Sequence, residues 1–501
     1  MNVLRGCMVG LGVAFAVAPA FGQGPTKPTV KAAPLAPAGT SAPGAPTQAG
    51  TPHTLAEALA ATYATQPALL AERAKLRATD ENVPKALSGW RPQVILSGQG
   101  GYGDGFSRIY SGASGGFLNS QTDRLIGTAQ ATLTQPLYTG GKTQANLNQA
   151  KNQVMAERAN LIVQEQNSFL STVTVFVGNG TSTLGVIEAQ QLLALAINNE
   201  QVLAKQLQAT NDRFRVGEIT RTDVAQAEAA LAGATAQRQL AEGNLQTARG
   251  TFQQVVGFLP PGDLVAPQPL APPVKTEQEA TAMAARNNPQ VIAALFNDAS
   301  AKDAVDVAFA QLMPQVNFNG QVFQSNNSAS RSSQSNGYSA VVSLSVPIYQ
   351  GGSEYSAVRQ AKQLEQQTSR QVDDARRTAV QNAVQSWETL SAAKAAADST
   401  REQVRANAVA LEGVEREAIV GSRTTLDVLN AQQALLNSQT TLVQNLSQVV
   451  TASYQVASAL GRLTARDLRL QVPLYDETAY YEAVKNKWAG LGDYATDQPN
   501  R

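Results

Sequence analysis

The sequence predicts a mixed α/β membrane protein. Amphipathic strands contribute to a transmembrane β-barrel, very long coiled-coil helices continue it, and the whole plan is built twice. Three observations point there. Segments near 92–102, 125–138, 314–324 and 339–349 alternate apolar with polar residues. Heptad-spaced apolar residues run for tens of positions in the segments that follow. Four blocks of the first half recur in the same order in the second.

The recurrence is visible in the letters. LTQPLYTGGKTQANLNQAK starts at Leu133 and LSVPIYQGGSEYSAVRQAK at Leu344, an offset of 344 − 133 = 211. Pro67 pairs with Pro289, and Pro92-Gln93-Val94 with Pro314-Gln315-Val316. VGEITRTDVAQAEAAL starts at Val216 and VGSRTTLDVLNAQQAL at Val420, an offset of 420 − 216 = 204. Ordered self-similarity of this kind reads as duplication. Each half then runs as a helical segment (54–87, 276–311), a strand, a Gly/Ser/Asn-rich loop (103–121, 325–336), a second strand and two long helices.

In the strands, Val342, Leu344, Val346 and Ile348 share one face, and Ser343 and Ser345 the other. Val316, Phe318, Gly320 and Val322 likewise oppose Gln315, Asn317, Asn319 and Gln321. Strands of roughly 10 residues with one apolar and one polar face suit a barrel with lipid outside and water inside. A soluble sheet with one face on a core has the same pattern. Four strands cannot close a pore, so a barrel needs several chains. Pro136 and Pro347 lack a ladder donor and are expected near strand ends. The Gly140-Gly141 and Gly351-Gly352 pairs follow as strand-to-helix swivels, because glycine tolerates the backbone angles of a sharp turn.

The helical segments exceed globular lengths. From Gly141 to about Asp212 the only interruption is Gly178-Asn179-Gly180, where a break is expected. Val428, Leu435, Leu442, Val449 and Val456 stand seven apart, as do Val224, Leu231, Arg238, Leu245 and Phe252. Beside the second series runs a line of mostly small residues, Ala227, Ala234, Ala241, Ala248 and Val255. Two adjacent stripes suit a helix with neighbours on two sides. Arg238, in a slot that Leu442 fills in the other half, marks a wet helix face.

The 501 residues carry 39 basic and 38 acidic side chains. That balance argues against nucleic acid as a partner. Residues 1–22 read as a secretory signal peptide, and 23–53, rich in Pro and Ala, as a disordered tether. The organisation expected after these is a first repeat (54–258), a Pro-rich linker (259–275), a second repeat (276–462) and a C-terminal tail (463–501) against the tunnel exterior. Cys7 leaves with the signal and His53 is the single histidine. Cys/His metal sites and nucleophile–His–acid sets are therefore not expected, nor a cofactor, nor an enzyme.

P-[LI]-Y-x-G-G, a long Ala/Gln helix and V-G-x-x-T-x-x-D-V, appearing twice after a signal peptide, resembles the TolC-like outer membrane efflux protein family over about residues 54–465. The resemblance implies a homotrimer with four strands per chain in a twelve-stranded outer-membrane barrel, set in outer-membrane lipid, and a helical tunnel through the periplasm. It implies a periplasmic adaptor and an inner-membrane pump or ABC transporter as partners, for efflux or type I secretion. Gly217 and Gly421 then mark the turns at the periplasmic tip, where an adaptor docks. Just beyond them stand Thr222, Asp223, Arg423, Asp427 and Asn430. By resemblance Thr222, Asp223 and Arg423 are partners in gating links, and Asp427 belongs to a carboxylate ring. Two family positions differ: Ala418 replaces a tyrosine and Asn430 a second acid. From the residues alone, Thr followed by Asp after Gly is equally a capped helix start. A stand-alone porin or a surface coiled-coil protein is the alternative function.

Overall fold

The computed structural model describes residues 52–492 apart from 114, 181 and 329–331. The signal peptide and nearly all of the tether lie outside the described residues. Helices dominate, with one small sheet. The chain opens with α1 (Leu55–Thr65), α2 (Pro67–Asp80) and α3 (Asn82–Leu87), followed by β1 (Gln93–Ser111) and β2 (Gly116–Tyr138). Then come α4 (Lys142–Val177), α5 (Val186–Arg215) and α6 (Arg221–Val256). After an irregular connector stand α7 (Glu277–Asn287), α8 (Pro289–Phe309), β3 (Gln315–Asn326) and β4 (Gln334–Ser345). The chain closes with α9 (Ser353–Ile419), α10 (Thr425–Ala459) and the short α11 (Ala479–Val484).

The prolines set the early helix boundaries. Pro67 and Pro289 each occupy a first helical position, where the missing N–H costs nothing. The preceding Gln66 and Asn288 are extended, so each of the two helical segments is broken there. Leu55 begins behind a capping box between Thr54 and Glu57.

The four strands pair antiparallel in the order β1-β2-β3-β4. Register gathers Val94, Leu133, Gly320 and Ala340 into one transverse row, and Leu96, Ala131, Val322 and Tyr338 into the next on the same face. The opposite face carries Gln99, Thr128, Ser325 and Ser335. Both faces are open in the single chain: Leu96 is 80% exposed on one and Ile95 60% on the other.

Three sequence expectations need correction here. The Gly-rich loop 103–121 is mostly strand, since pairing continues from Gly103↔Arg124 to Ser111↔Gly116. Alternation of Tyr102, Phe106 and Tyr110 persists through the glycines, and Tyr110 meets Phe117 edge-on at 5.4 Å. Strand β2 does not stop at Pro136 but passes it with a register shift before Tyr138. A bulge absorbs the missing donor. Strand β4 ends at Ser345, short of Pro347, so Val346 and Ile348 lie beyond the ladder.

Helix α9 runs 67 residues without a break, on the order of 100 Å at 1.5 Å per residue. Its first-half counterpart is interrupted between Val177 and Val186. Gly178 stands at φ 106° there, and Thr451 of α10 donates to its carbonyl. Helix α5 pairs with α6, and α9 with α10. The heptad stripes face inward: Val224, Ala227, Ala234, Leu245, Ala248 and Phe252 are buried on α6. Arg238 is not bare on its stripe: it pairs with Glu200 at 2.7 Å and with Glu242.

The main core forms where α1, α4, α6 and α10 crowd together around Phe169, Phe176 and Phe252, each fully buried. The connector between α6 and α7 crosses this region rather than hanging free. Leu264 and Leu270 pack on the core, and Leu270 N donates to Ser453 Oγ at 2.9 Å. The C-terminal segment is docked too. Leu463 and Ala465 are core residues, and Tyr475 N donates to the Tyr63 hydroxyl at 3.0 Å.

Candidate functional site: two hairpin tips

The turns between α5 and α6 and between α9 and α10 are built alike. Gly217 (φ 79°) and Gly421 (φ 83°) take the left-handed conformation that ends a helix. Gly217 N donates back to Phe214 O, and Gly421 N to Ala418 O. Thr220 and Thr424 then cap the returning helices. Thr220 N donates to Asp223 Oδ2 at 3.0 Å and its hydroxyl donates to the same oxygen at 2.7 Å. Thr424 does the same to Asp427 Oδ2 at 3.0 and 2.8 Å. Each acid's N–H returns a bond to the threonine hydroxyl, completing a capping box at both tips.

Both carboxylates are therefore engaged in their own helix starts. The Thr220 side chain holds Asp223 below the usual carboxylate range, and the Thr424 backbone N–H does so for Asp427. Thr222 and Asn430 are exposed on the helix surfaces just beyond.

Each turn is also stapled by an ion pair, and the two staples have opposite polarity. In the first, Arg213 before the glycine meets Glu218 after it at 2.8 Å. In the second, Glu417 before the glycine meets Arg423 Nε at 2.9 Å. The partners Arg213, Glu218 and Glu417 escaped sequence reading. The offset of 204 that aligns the tips places Glu417 opposite Arg213 (417 − 213 = 204), a charge inversion that could have been seen. Apolar side chains crown the tips: Val216, Ile419 and Val420 are all exposed.

At the other end of the helices lie the swivels. Gly140 and Gly141 stand at φ 65° and 87°, Gly351 and Gly352 at 70° and 84°. Gly141 and Gly352 are the residues from which α4 and α9 start. Gly140 is held close as well, because a Cβ would fall 2.5 Å from Met313 Cβ. Pro136 and Pro347 flank these turns, one inside the ladder and one beyond it. Among the described residues no helix is long and apolar enough to cross a membrane.

The family model for outer membrane efflux proteins matches this chain twice, over residues 59–257 and 281–462. The outer membrane efflux protein BepC of Brucella suis biovar 1 (strain 1330) is 35% identical over 446 residues, 89% of this chain and 93% of its own. The outer membrane protein TolC of Escherichia coli (strain K12) is 26% identical over 424 residues, covering 80% of this chain and 81% of TolC. The crystal structure of the outer membrane protein VceC from Vibrio cholerae superposes with a TM-score of 0.67 at 18% identity, over 81% of this chain and 96% of that one. The chain belongs to the outer membrane efflux protein family.

Proposed function

We propose that this chain is one protomer of a homotrimeric exit duct in the outer membrane, a passive channel gated at its periplasmic tips. The carrying observation is the sheet. Its four strands have an apolar and a polar face, both open in one chain, and both outer strands leave an edge unpaired. A closed barrel satisfies those edges, and a twelve-stranded barrel from three chains is the closure that the family suggests. Duplication of the chain is supported by the two separate matches to one family model.

The helices extend the duct through the periplasm, and the exposed apolar residues at the turns suit docking of a periplasmic adaptor joined to an inner-membrane pump or ABC transporter. Arg423, Thr222 and Asp223 are the proposed gating links, with Asp427 and Asn430 contributing to the constriction. In one chain Arg423 is held by Glu417, so a link to a neighbouring coil must compete with that staple. The pair is exposed and screened by solvent, so it holds Arg423 only weakly and lets it exchange partners. Planar-bilayer recording tests the gate: Arg423→Ser combined with Asp223→Ser should raise the conductance. Unchanged conductance would remove both residues from the gate. Recovery of an adaptor with the purified protein separates this reading from a stand-alone porin.

A further inference from the structure

The last residue of α2 is a buried carboxylic acid. Asp80 is 1% exposed, and neither oxygen has a hydrogen-bond partner among the described residues. Ionised, it would also face the negative end of its own helix. Arg77 and Glu81 stand near it on its own stretch of chain, Arg158 faces it from α4, and Glu477 and Tyr475 face it from the C-terminal segment. Burial pushes its carboxyl up to about 7. The Arg158 and Arg77 charges pull it down, and Glu81 and Glu477 push with burial.

The C-terminal segment lies over this acid. The Tyr480 hydroxyl donates to Glu81 Oε1 at 2.9 Å. The Arg158 guanidinium sits 5.5 Å from the Tyr481 ring centre, while its Nε is buried without a hydrogen-bond partner among the described residues. Val484 is buried, and Arg91 Nη1 donates to Lys487 O at 2.6 Å with its guanidinium over the Trp488 ring. The segment is thus fastened on both sides of an acid whose charged form is disfavoured by burial while covered.

We propose that Asp80 is a proton-operated latch for the C-terminal segment: neutral, it lets residues 475–488 lie over α2 and α4, and ionised, it drives them off. The latch does not depend on the duct reading. A proton suits the site better than a metal ion, since Arg77 and Arg158 would repel a cation. The sign follows from the two states. With the segment released, Asp80 is wetted and titrates near the ordinary 3.8; covered, it titrates near 7. Docking is therefore fully favoured below the lower value, weakens about tenfold per pH unit between the two, and levels off above the upper.

Amide hydrogen exchange on the full chain in detergent reads the latch directly. After correction for intrinsic rates, protection of residues 479–484 should fall about 50-fold from pH 5 to pH 7, while core amides of α10 stay unchanged. Asp80→Asn, neutral throughout, should keep the segment protected across the range. A flat wild-type profile, or the same slope in Asp80→Asn, would overturn the proposal. Should Asp80→Asn fail to fold, infrared titration of the wild type decides. A protonated aspartyl carbonyl band must be present at pH 5 and lose intensity as pH rises through about 7, and its absence at pH 5 refutes the latch.

Discussion

Gly178 controls the interruption that distinguishes the first long helix from the unbroken α9. Its backbone stands at φ 106° and ψ 164°, a region essentially closed to residues with a Cβ. A Cβ there would also lie 1.8 Å from Glu188 Oε2. Gly178→Ala therefore carries two separable costs. Backbone strain is on the order of 1–3 kcal/mol. Displacing Glu188, only 1% exposed, is an overpacking cost of about 1–3 kcal/mol. Glu188→Ala removes the obstruction together with a buried carboxyl. The double variant should thus regain the overpacking share and keep the strain, giving a coupling of about 1–3 kcal/mol in a double-mutant cycle. Denaturant unfolding of the detergent-solubilised protein, followed by tryptophan fluorescence, measures it. Equal stability of Gly178→Ala and wild type, or no recovery with Glu188→Ala, would refute this view of the break.

Three further outcomes follow from the same geometry. Burial pushes Glu188 up to about 7 from an ordinary 4.5, so its contribution is most favourable at low pH and is lost as pH rises through that window; Glu188→Gln should flatten a pH series of unfolding midpoints over that range. Gly140 and Gly351 share nearly the same positive φ, but only Gly140 faces Met313 Cβ at 2.5 Å and Ala310 O at 2.9 Å, so Gly140→Ala should lower the thermal midpoint more than Gly351→Ala. Phe252, fully buried beside Phe176, should cost about 3–5 kcal/mol when cut to Ala and less when replaced by Leu, read from the same unfolding curves.

Much of the architecture is legible because it depends on period. The apolar rows of the sheet follow from alternation at period two, and the inward stripe of α6 from spacing at seven. What composition alone suggested fared worse. Gly103 and Gly105 read as loop, yet the aromatic alternation around them holds strand β1 to Ser111. Pro136 read as a strand end, yet one bulge accommodates it. At the tips, the glycine turns were visible, and so was the possibility that Asp223 and Asp427 serve as caps. The staples were not, because Arg213–Glu218 and Glu417–Arg423 span five and six residues across a turn, outside any helix spacing rule. Asp80 and Glu188 were silent for another reason. An acid in an amphipathic helix looks solvated until the tertiary fold covers it.

The mass of the detergent-solubilised particle tests the central claim most directly. Four strands with two unpaired edges cannot form a pore alone, so native mass spectrometry should find a stable particle of three chains. A monodisperse single chain that stays folded would contradict the account.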